Sequence, residues 1–211
     1  MKELIIFDFD GTLANTEEAS YQVYEQMTEI YGVPQMSRDE LKAFKKKPLK
    51  QRIKETGIPY YLLPKIVSES QSKLTKFMKD AFPFEGISYL LEKLSKRFQL
   101  IVVSSNHKKI IKKFLKDHNI DVFEKVYGGA ALFGKANNIK KAIKKAKSKV
   151  KKAIYIGDET RDYHACQELK LDMIAVSWGY EDIEVLLEEN IPMIAKTPED
   201  VLSMIETLHA S

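Results

Sequence analysis

Four short segments of the chain carry residue types that do chemistry only in company. Asp8-Phe9-Asp10-Gly11-Thr12 places two carboxylates two residues apart. Ser104-Ser105-Asn106 offers two hydroxyls and an amide, and Gly134-Lys135 an ammonium. Gly157-Asp158-Glu159 adds further carboxylates, with Asp162 four residues beyond Asp158. Singly, each has an ordinary reading: an Asp after a strand is a turn or cap residue, and a lysine is a solvated charge. Together they imply something else. Carboxylates buried side by side repel and lose their hydration, so a cation must neutralise them. Hard oxygen ligands suit Mg²⁺, which also bridges to phosphate oxygens. A hydroxyl and an ammonium then supply donors for an anionic group, and the set describes a phosphoryl-transfer site.

For these segments to meet, they must lie at the same end of neighbouring strands. Short apolar runs, mostly β-branched and without clean alternation, occur at 4–7, 100–103, 153–156, 173–176 and 191–195. That pattern predicts strands buried on both faces of a parallel sheet. Helical stretches fall between them, at roughly 87–97, 108–117, 137–147, 161–169 and 197–207. Strand and helix in alternation predict a doubly wound α/β fold. Ligands of such folds bind outside the carboxyl ends of the strands. Asp8, Ser104 and Asp158 each follow a predicted strand directly, and Lys135 precedes a predicted helix, so all four segments are expected at one sheet edge.

One stretch breaks the rhythm. From about Glu17 to Asp80 there is no convincing strand. Val23 and Met27 share a helical face that Gly32 terminates, and Ser37-Arg38-Asp39-Glu40 has the form of a capping box. Pro34, Pro48, Pro59, Pro64 and Pro83 divide the region and its margin into short helices. The expected organisation is an α/β core of residues 1–15 and 82–211, interrupted by a small helical domain of residues 16–81.

The first segment, Asp8-Phe9-Asp10-Gly11-Thr12-Leu13, resembles the first motif of the haloacid dehalogenase superfamily, DxDGT at the end of a first strand. Ser104 is similar to its second motif, Lys135 to its third, and Gly157-Asp158-Glu159-Thr160-Arg161-Asp162 to its fourth, GDxxxD. The order and spacing agree over essentially the whole chain. The helical insert is similar to the cap of the phosphoglycolate-phosphatase-like branch. The resemblance implies a Rossmann-like core and hydrolysis of a small phosphorylated metabolite with Mg²⁺. Asp8 would then be the nucleophile that becomes an aspartyl-phosphate, and Asp10 the general acid and base. Asp8, the backbone carbonyl of Asp10, and Asp158 would hold the metal. Ser104 and Lys135, with Ser105 and Asn106 beside them, would bind the phosphoryl oxygens. Asp162 and Thr12 would stand behind these groups and orient them. The cap is expected to select the substrate and to act as a mobile lid over it.

Composition narrows the alternatives. A chain of 211 residues, 44% hydrophobic, buries a core without a disulfide or a structural metal. No apolar run approaches the roughly 18 residues of a membrane span, and no secretory signal is expected. Cys166 is the single cysteine, which fits a reducing, cytoplasmic setting. The lysine run from Lys135 to Lys152 could suggest a nucleic-acid surface. Its apolar stripe of Ala136, Ile139, Ala142, Ile143 and Ala146 instead predicts an amphipathic helix with a solvated basic face, and no aromatic is interleaved to stack on bases. Two alternatives to a phosphatase share part of this residue set. A phosphomutase of the β-phosphoglucomutase type would use the same two aspartates. A non-catalytic receiver-like protein shares the Asp, hydroxyl and Lys, but is shorter and has no helical insert.

Overall fold

The structure, a computed structural model, describes residues 3–47, 49–129, 134–146 and 153–210. The predicted helix end at Lys147 and the lysines from there to Lys152 lie outside them, as does Pro48.

Among the described residues the core is a six-stranded parallel sheet. Its strands are β1 (Leu4–Phe7), β4 (Gln99–Val103), β5 (Lys125–Tyr127), β6 (Ala153–Gly157), β7 (Asp172–Val176) and β8 (Ile194–Ala195). Their order is β5-β4-β1-β6-β7-β8. From β1 the chain moves outward through β4 to β5, then crosses to β6 and moves outward the other way. β1 is therefore the switch point at which an α/β sheet opens a crevice.

The helices of this unit are α5 (Ile87–Ser95), α6 (Lys108–Asp117), α7 (Lys135–Lys145), α8 (Thr160–Leu169), α9 (Ile183–Glu188) and α10 (Pro198–Ala210). One face of the sheet, with Leu4, Ile6, Ile101, Val103 and Tyr155, packs against Ile139 and Ile143 of α7 and Cys166 of α8. The alternate residues Ile5, Phe7, Leu100 and Val102 are equally buried and point to the opposite face. There α5 packs on β4 and on α10, and Phe9 meets Phe114 of α6 edge-on. Burial on both faces is what the near-continuous apolar runs require. α7 keeps Ala136, Ile139, Ala142 and Ile143 inside and Lys140, Lys141 and Lys144 in solvent, as its stripe predicts.

Register sets up the edge. Phe7 is level with Val102 of β4 and Ile156 of β6, and Val103 is level with Tyr127. The residues just beyond these positions therefore emerge side by side.

Three features differ from expectation. β5 was not foreseen; it has three residues, only Val126 of them buried, too short to show a period. The strand expected over 191–195 is reduced to Ile194–Ala195, because Pro192 lacks the N–H that the ladder needs. A two-stranded antiparallel ribbon, β2 (Ala14–Asn15) with β3 (Phe82–Pro83), pairs Asn15 with Phe82 and Ala14 with Pro83.

The chain divides into two compact units, residues 1–16 with 82–211, and residues 17–81. The division falls after Thr16, whose hydroxyl and amide are bonded within the first unit. The second unit is helical: α1 (Glu17–Tyr31), α2 (Arg38–Lys46), α3 (Leu49–Thr56) and α4 (Leu63–Phe77), with 3₁₀ turns on either side of α4. Gly32, with φ +64°, ends α1. The capping box at Ser37 and Glu40 is fully formed. α1 packs along α4, where Tyr31 donates to Glu69 (2.8 Å) and Lys73 to Gln26 (2.7 Å). No described helix of either unit is long and apolar enough to cross a membrane.

Candidate active site

Asp8 follows β1 and continues the sheet, its N–H donating to Ile156 O at 2.8 Å. Its side chain is turned inward, 3% exposed. Oδ1 accepts from the Phe9 N–H (2.7 Å), and Oδ2 from Lys135 Nζ (2.5 Å). Lys135 is the first residue of α7 and also pairs with the buried Asp162 of α8. Its ammonium lies 5.4 Å from the centre of the Tyr155 ring, a second stabilising contact for the charge. Lys140 and Lys141 point into solvent on the far face of the helix.

The turn after β1 is tight: Leu13 and Ala14 both donate to Phe9 O, and Gly11 takes φ +77°. It aims Asp10 at the end of β4. Asp10 Oδ1 accepts from Thr16 Oγ1 (2.8 Å) and Asn106 Nδ2 (2.9 Å), and Oδ2 accepts from Ser104 Oγ (3.4 Å). Ser104, not Ser105, is the hydroxyl brought to the aspartates; Ser105 is half-buried beside it. Asn106, beside it, donates to Asp10, and its own Oδ1 accepts from the His107 N–H (2.7 Å). Asp158, after β6, is fully buried and accepts from Thr12 Oγ1 and the Tyr180 N–H, both at 2.9 Å. A Cβ on Gly11 or on Gly179 would overlap its carboxylate, so backbone must approach it from two sides.

The structure thus brings Asp8, Asp10, Ser104, Asn106, Lys135, Asp158, Asp162 and Thr12 to one edge. Among the described residues the carboxylates that cluster are a different trio from Asp8, Asp10 and Asp158: ligand oxygens of Asp8, Glu159 and Asp162 lie within 4.8 Å of one another. Glu159 stood next to Asp158 in the sequence, but its direction depends on how α8 begins, and it was not foreseen. The loop after β7 was missed as well. Trp178 Nε1 donates to Thr12 O (3.1 Å), Tyr180 contacts Thr16 and Asp158, and Glu181 accepts from Thr160 N–H (2.6 Å). Applying the strand-end rule to the predicted 173–176 run would have found it.

The charges do not balance. Burial raises the Asp10 carboxyl above the ordinary range, helped by Asp8. Asp158 is raised by burial and by Glu159, Asp8 and Asp162. Burial pushes Asp162 up to about 7, against the pull of Lys135, with Asp8 and Glu159 adding to the rise. Burial also opposes the Lys135 charge, yet Asp162 and Asp8 hold its ammonium above the usual lysine value. Lys135 and Arg161, the latter paired with Glu159, serve five clustered acids, Asp8, Asp10, Asp158, Glu159 and Asp162, and Asp162 Oδ2 is buried with no hydrogen-bond partner. An all-oxygen, electron-rich donor set with an orphaned carboxylate oxygen fits a hard divalent cation.

This imbalance has a measurable consequence without metal. Between about pH 4 and 7 the folded protein binds more protons at Asp162 than the unfolded chain does, so stability must fall as pH rises. Surface carboxylates held low by partners, such as Glu18 and Glu92, titrate below that window. Thermal melts of EDTA-treated protein are expected to give a higher Tm near pH 5 than near pH 8. Mg²⁺ should raise Tm more at the upper pH. A metal-free Tm that climbs with pH over this range would contradict the charge assignment.

A sequence profile described as haloacid dehalogenase-like hydrolase matches residues 5–176. A phosphoglycolate phosphatase of Synechococcus elongatus is 24% identical over 208 residues, covering 98% of each chain. Another, of Aquifex aeolicus, is 25% identical over 217 residues, with 96% of each covered. A haloacid dehalogenase-like family hydrolase from Streptococcus pneumoniae has a solved structure that superposes with TM-score 0.84 at 25% identity. That match covers 97% of this chain and 98% of the other.

Proposed function

The chain belongs to the haloacid dehalogenase-like hydrolases, and from that premise we propose that it is a Mg²⁺-dependent phosphatase of small phosphomonoesters, working through an aspartyl-phosphate on Asp8. The observation that carries this reading is the buried Asp8–Lys135–Asp162 ion-pair chain at the switch point, with Asp10 beside it under three donors.

Asp8 attacks phosphorus, and the ester oxygen leaves with a proton from Asp10, whose raised carboxyl suits it to give one. Lys135 and Ser104 hold the non-bridging oxygens, Ser104 turning from Asp10 to the phosphoryl group. Asp10, now ionised, takes a proton from the water that hydrolyses the acyl phosphate and restores Asp8. Asp8, the Asp10 backbone carbonyl and Asp158 would hold Mg²⁺, with Glu159 and Asp162 close to Asp8. Bound there, the cation would neutralise phosphoryl charge beyond what Lys135 supplies. Substrate choice is assigned to the helical unit of residues 17–81.

The names of the two curated relatives make phosphoglycolate the first substrate to try. The test is phosphate release from a panel of phosphoglycolate, sugar phosphates and nucleotides, with Mg²⁺, with Ca²⁺ and with EDTA. Release from a small phosphomonoester is expected with Mg²⁺, poorly with Ca²⁺, which favours more ligands, and not with EDTA. Full turnover in EDTA would remove the metal from the mechanism. An isomerised sugar phosphate without free phosphate would replace the phosphatase by a mutase.

A further inference from the structure

The loop after β7 sends one side chain back to the turn after β1, and the donors there can be ordered by counting hydrogens. Thr16 Oγ1 has a single hydrogen, and it points to Asp10 Oδ1 at 2.8 Å. The contact between Thr16 Oγ1 and the Tyr180 hydroxyl must therefore carry the tyrosine's hydrogen. The Tyr180 oxygen in turn accepts from the Thr16 N–H at 3.1 Å. Tyr180 is thus bound twice to one residue, once as donor and once as acceptor, and this clamps the threonine side chain in one rotamer. Burial and the nearby Asp10 push the phenol up, so it keeps its proton and stays a donor.

The clamp has a directional effect on Asp10. Oδ1 receives two good hydrogen bonds, from Thr16 and from Asn106. Oδ2 receives only the long one from Ser104, at 3.4 Å. The carboxylate plane is set by the Oδ1 side, and Oδ2 is left as the oxygen free to carry a proton. We propose that Tyr180 is a positioning residue: through Thr16 it fixes the orientation of Asp10, so that Oδ2 is the atom that exchanges protons with the leaving group and with water. Its main chain is anchored independently, because the Tyr180 N–H donates to Asp158 Oδ2 and Trp178 holds Thr12 O. Removing the hydroxyl therefore leaves the loop in place. The inference rests on Asp10 being the acid and base.

Tyr180→Phe separates positioning from structure by the leaving group. Misorienting Asp10 matters when an alkoxide departs and little when a nitrophenolate does. The best alkyl phosphate of the panel should lose about 10- to 100-fold in its rate of transfer to Asp8 in the first turnover, the scale of an ångström misplacement. Loading from 4-nitrophenyl phosphate, read as nitrophenolate released in the first turnover, should lose no more than about 3-fold, since protonation contributes little to its departure, while hydrolysis of the acyl phosphate slows for both substrates. In the Asp10→Asn background Tyr180→Phe should add nothing further, because contacting residues in one chain are not additive. Thr16→Val should mimic Tyr180→Phe, and Thr16→Ser, which keeps the hydroxyl, should restore most of the rate. Equal losses of the first-turnover loading rate on both substrates, or a full further loss on top of Asp10→Asn, would overturn the positioning role. Asp10→Asn loading Asp8 equally slowly from both substrates would instead overturn the acid–base reading beneath it.

Discussion

Asp8→Asn, incubated with Mg²⁺ and an activated aryl phosphate, is expected to acquire no phosphoryl group and to turn over below detection, whereas Asp10→Asn acquires one and stalls. The two variants are nearly isosteric, so the difference between them is chemical. Asparagine at position 8 still accepts the Phe9 N–H but has no anionic oxygen to attack phosphorus, and the covalent route closes. Asparagine at position 10 leaves Asp8, Lys135 and the main-chain carbonyl of residue 10 as they are. An aryl oxide leaves without help, so Asp8 still loads; the water that must follow has lost its base, and the acyl phosphate persists. For an alkyl phosphate, both proton transfers fail and turnover falls by about 10²–10⁴-fold or more. Intact mass after acid quench reads the label directly. Label on both variants, or normal turnover of Asp8→Asn, would exchange or abolish these roles.

Lys135→Ala is expected to produce the second-largest loss, and it should damage activity and stability together. Lys135 Nζ sits between Asp8 and Asp162, whose side chains are 4% and 0% exposed. Without it two buried carboxylates face each other unpaired. Breaking such a pair costs about 3–5 kcal/mol, which appears as a lower Tm. Losing a preorganised donor to the transferring group costs at least about 10²–10³-fold in kcat. Mg²⁺ should restore part of the Tm, since it supplies charge, and little of kcat, since it does not supply a donor at that place. Rates taken well below the variant's own Tm separate the two effects. A kcat within about 10-fold of the parent would show that Lys135 is a structural counter-ion.

The parallel sheet was legible because β1, β4, β6 and β7 are buried on both faces and read as unbroken apolar runs. The placement of Asp8, Ser104 and Asp158 followed from the strand-end rule alone, and Lys135 from the helix it opens. What was not legible depends on short elements and on main-chain direction. β5 and the ribbon are too brief for any period. The roles of Thr16 and Tyr180 as partners of Asp10 hang on one hydroxyl hydrogen and one amide, which residue spacing does not encode. Glu159 turns toward Asp8 and Asp162 because of the extended backbone at the start of α8. The charge imbalance, by contrast, was already implied by five acids against Lys135 and Arg161 at one edge.

The β2–β3 ribbon bears on how such a molecule can change over evolutionary time. Asn15 faces Phe82 across a single strand spacing, roughly 4.8 Å in any sheet. To the α/β unit, the whole stretch of residues 17–81 is the loop of one hairpin. Closing a loop costs free energy that grows only with the logarithm of its length, about 0.6 kcal/mol per doubling. A segment half or twice this length would therefore burden the sheet almost equally. With substrate choice in that stretch, as proposed, it can diverge by exchange of one contiguous piece of gene, while Asp8, Lys135 and Asp158 are inherited with their surroundings intact.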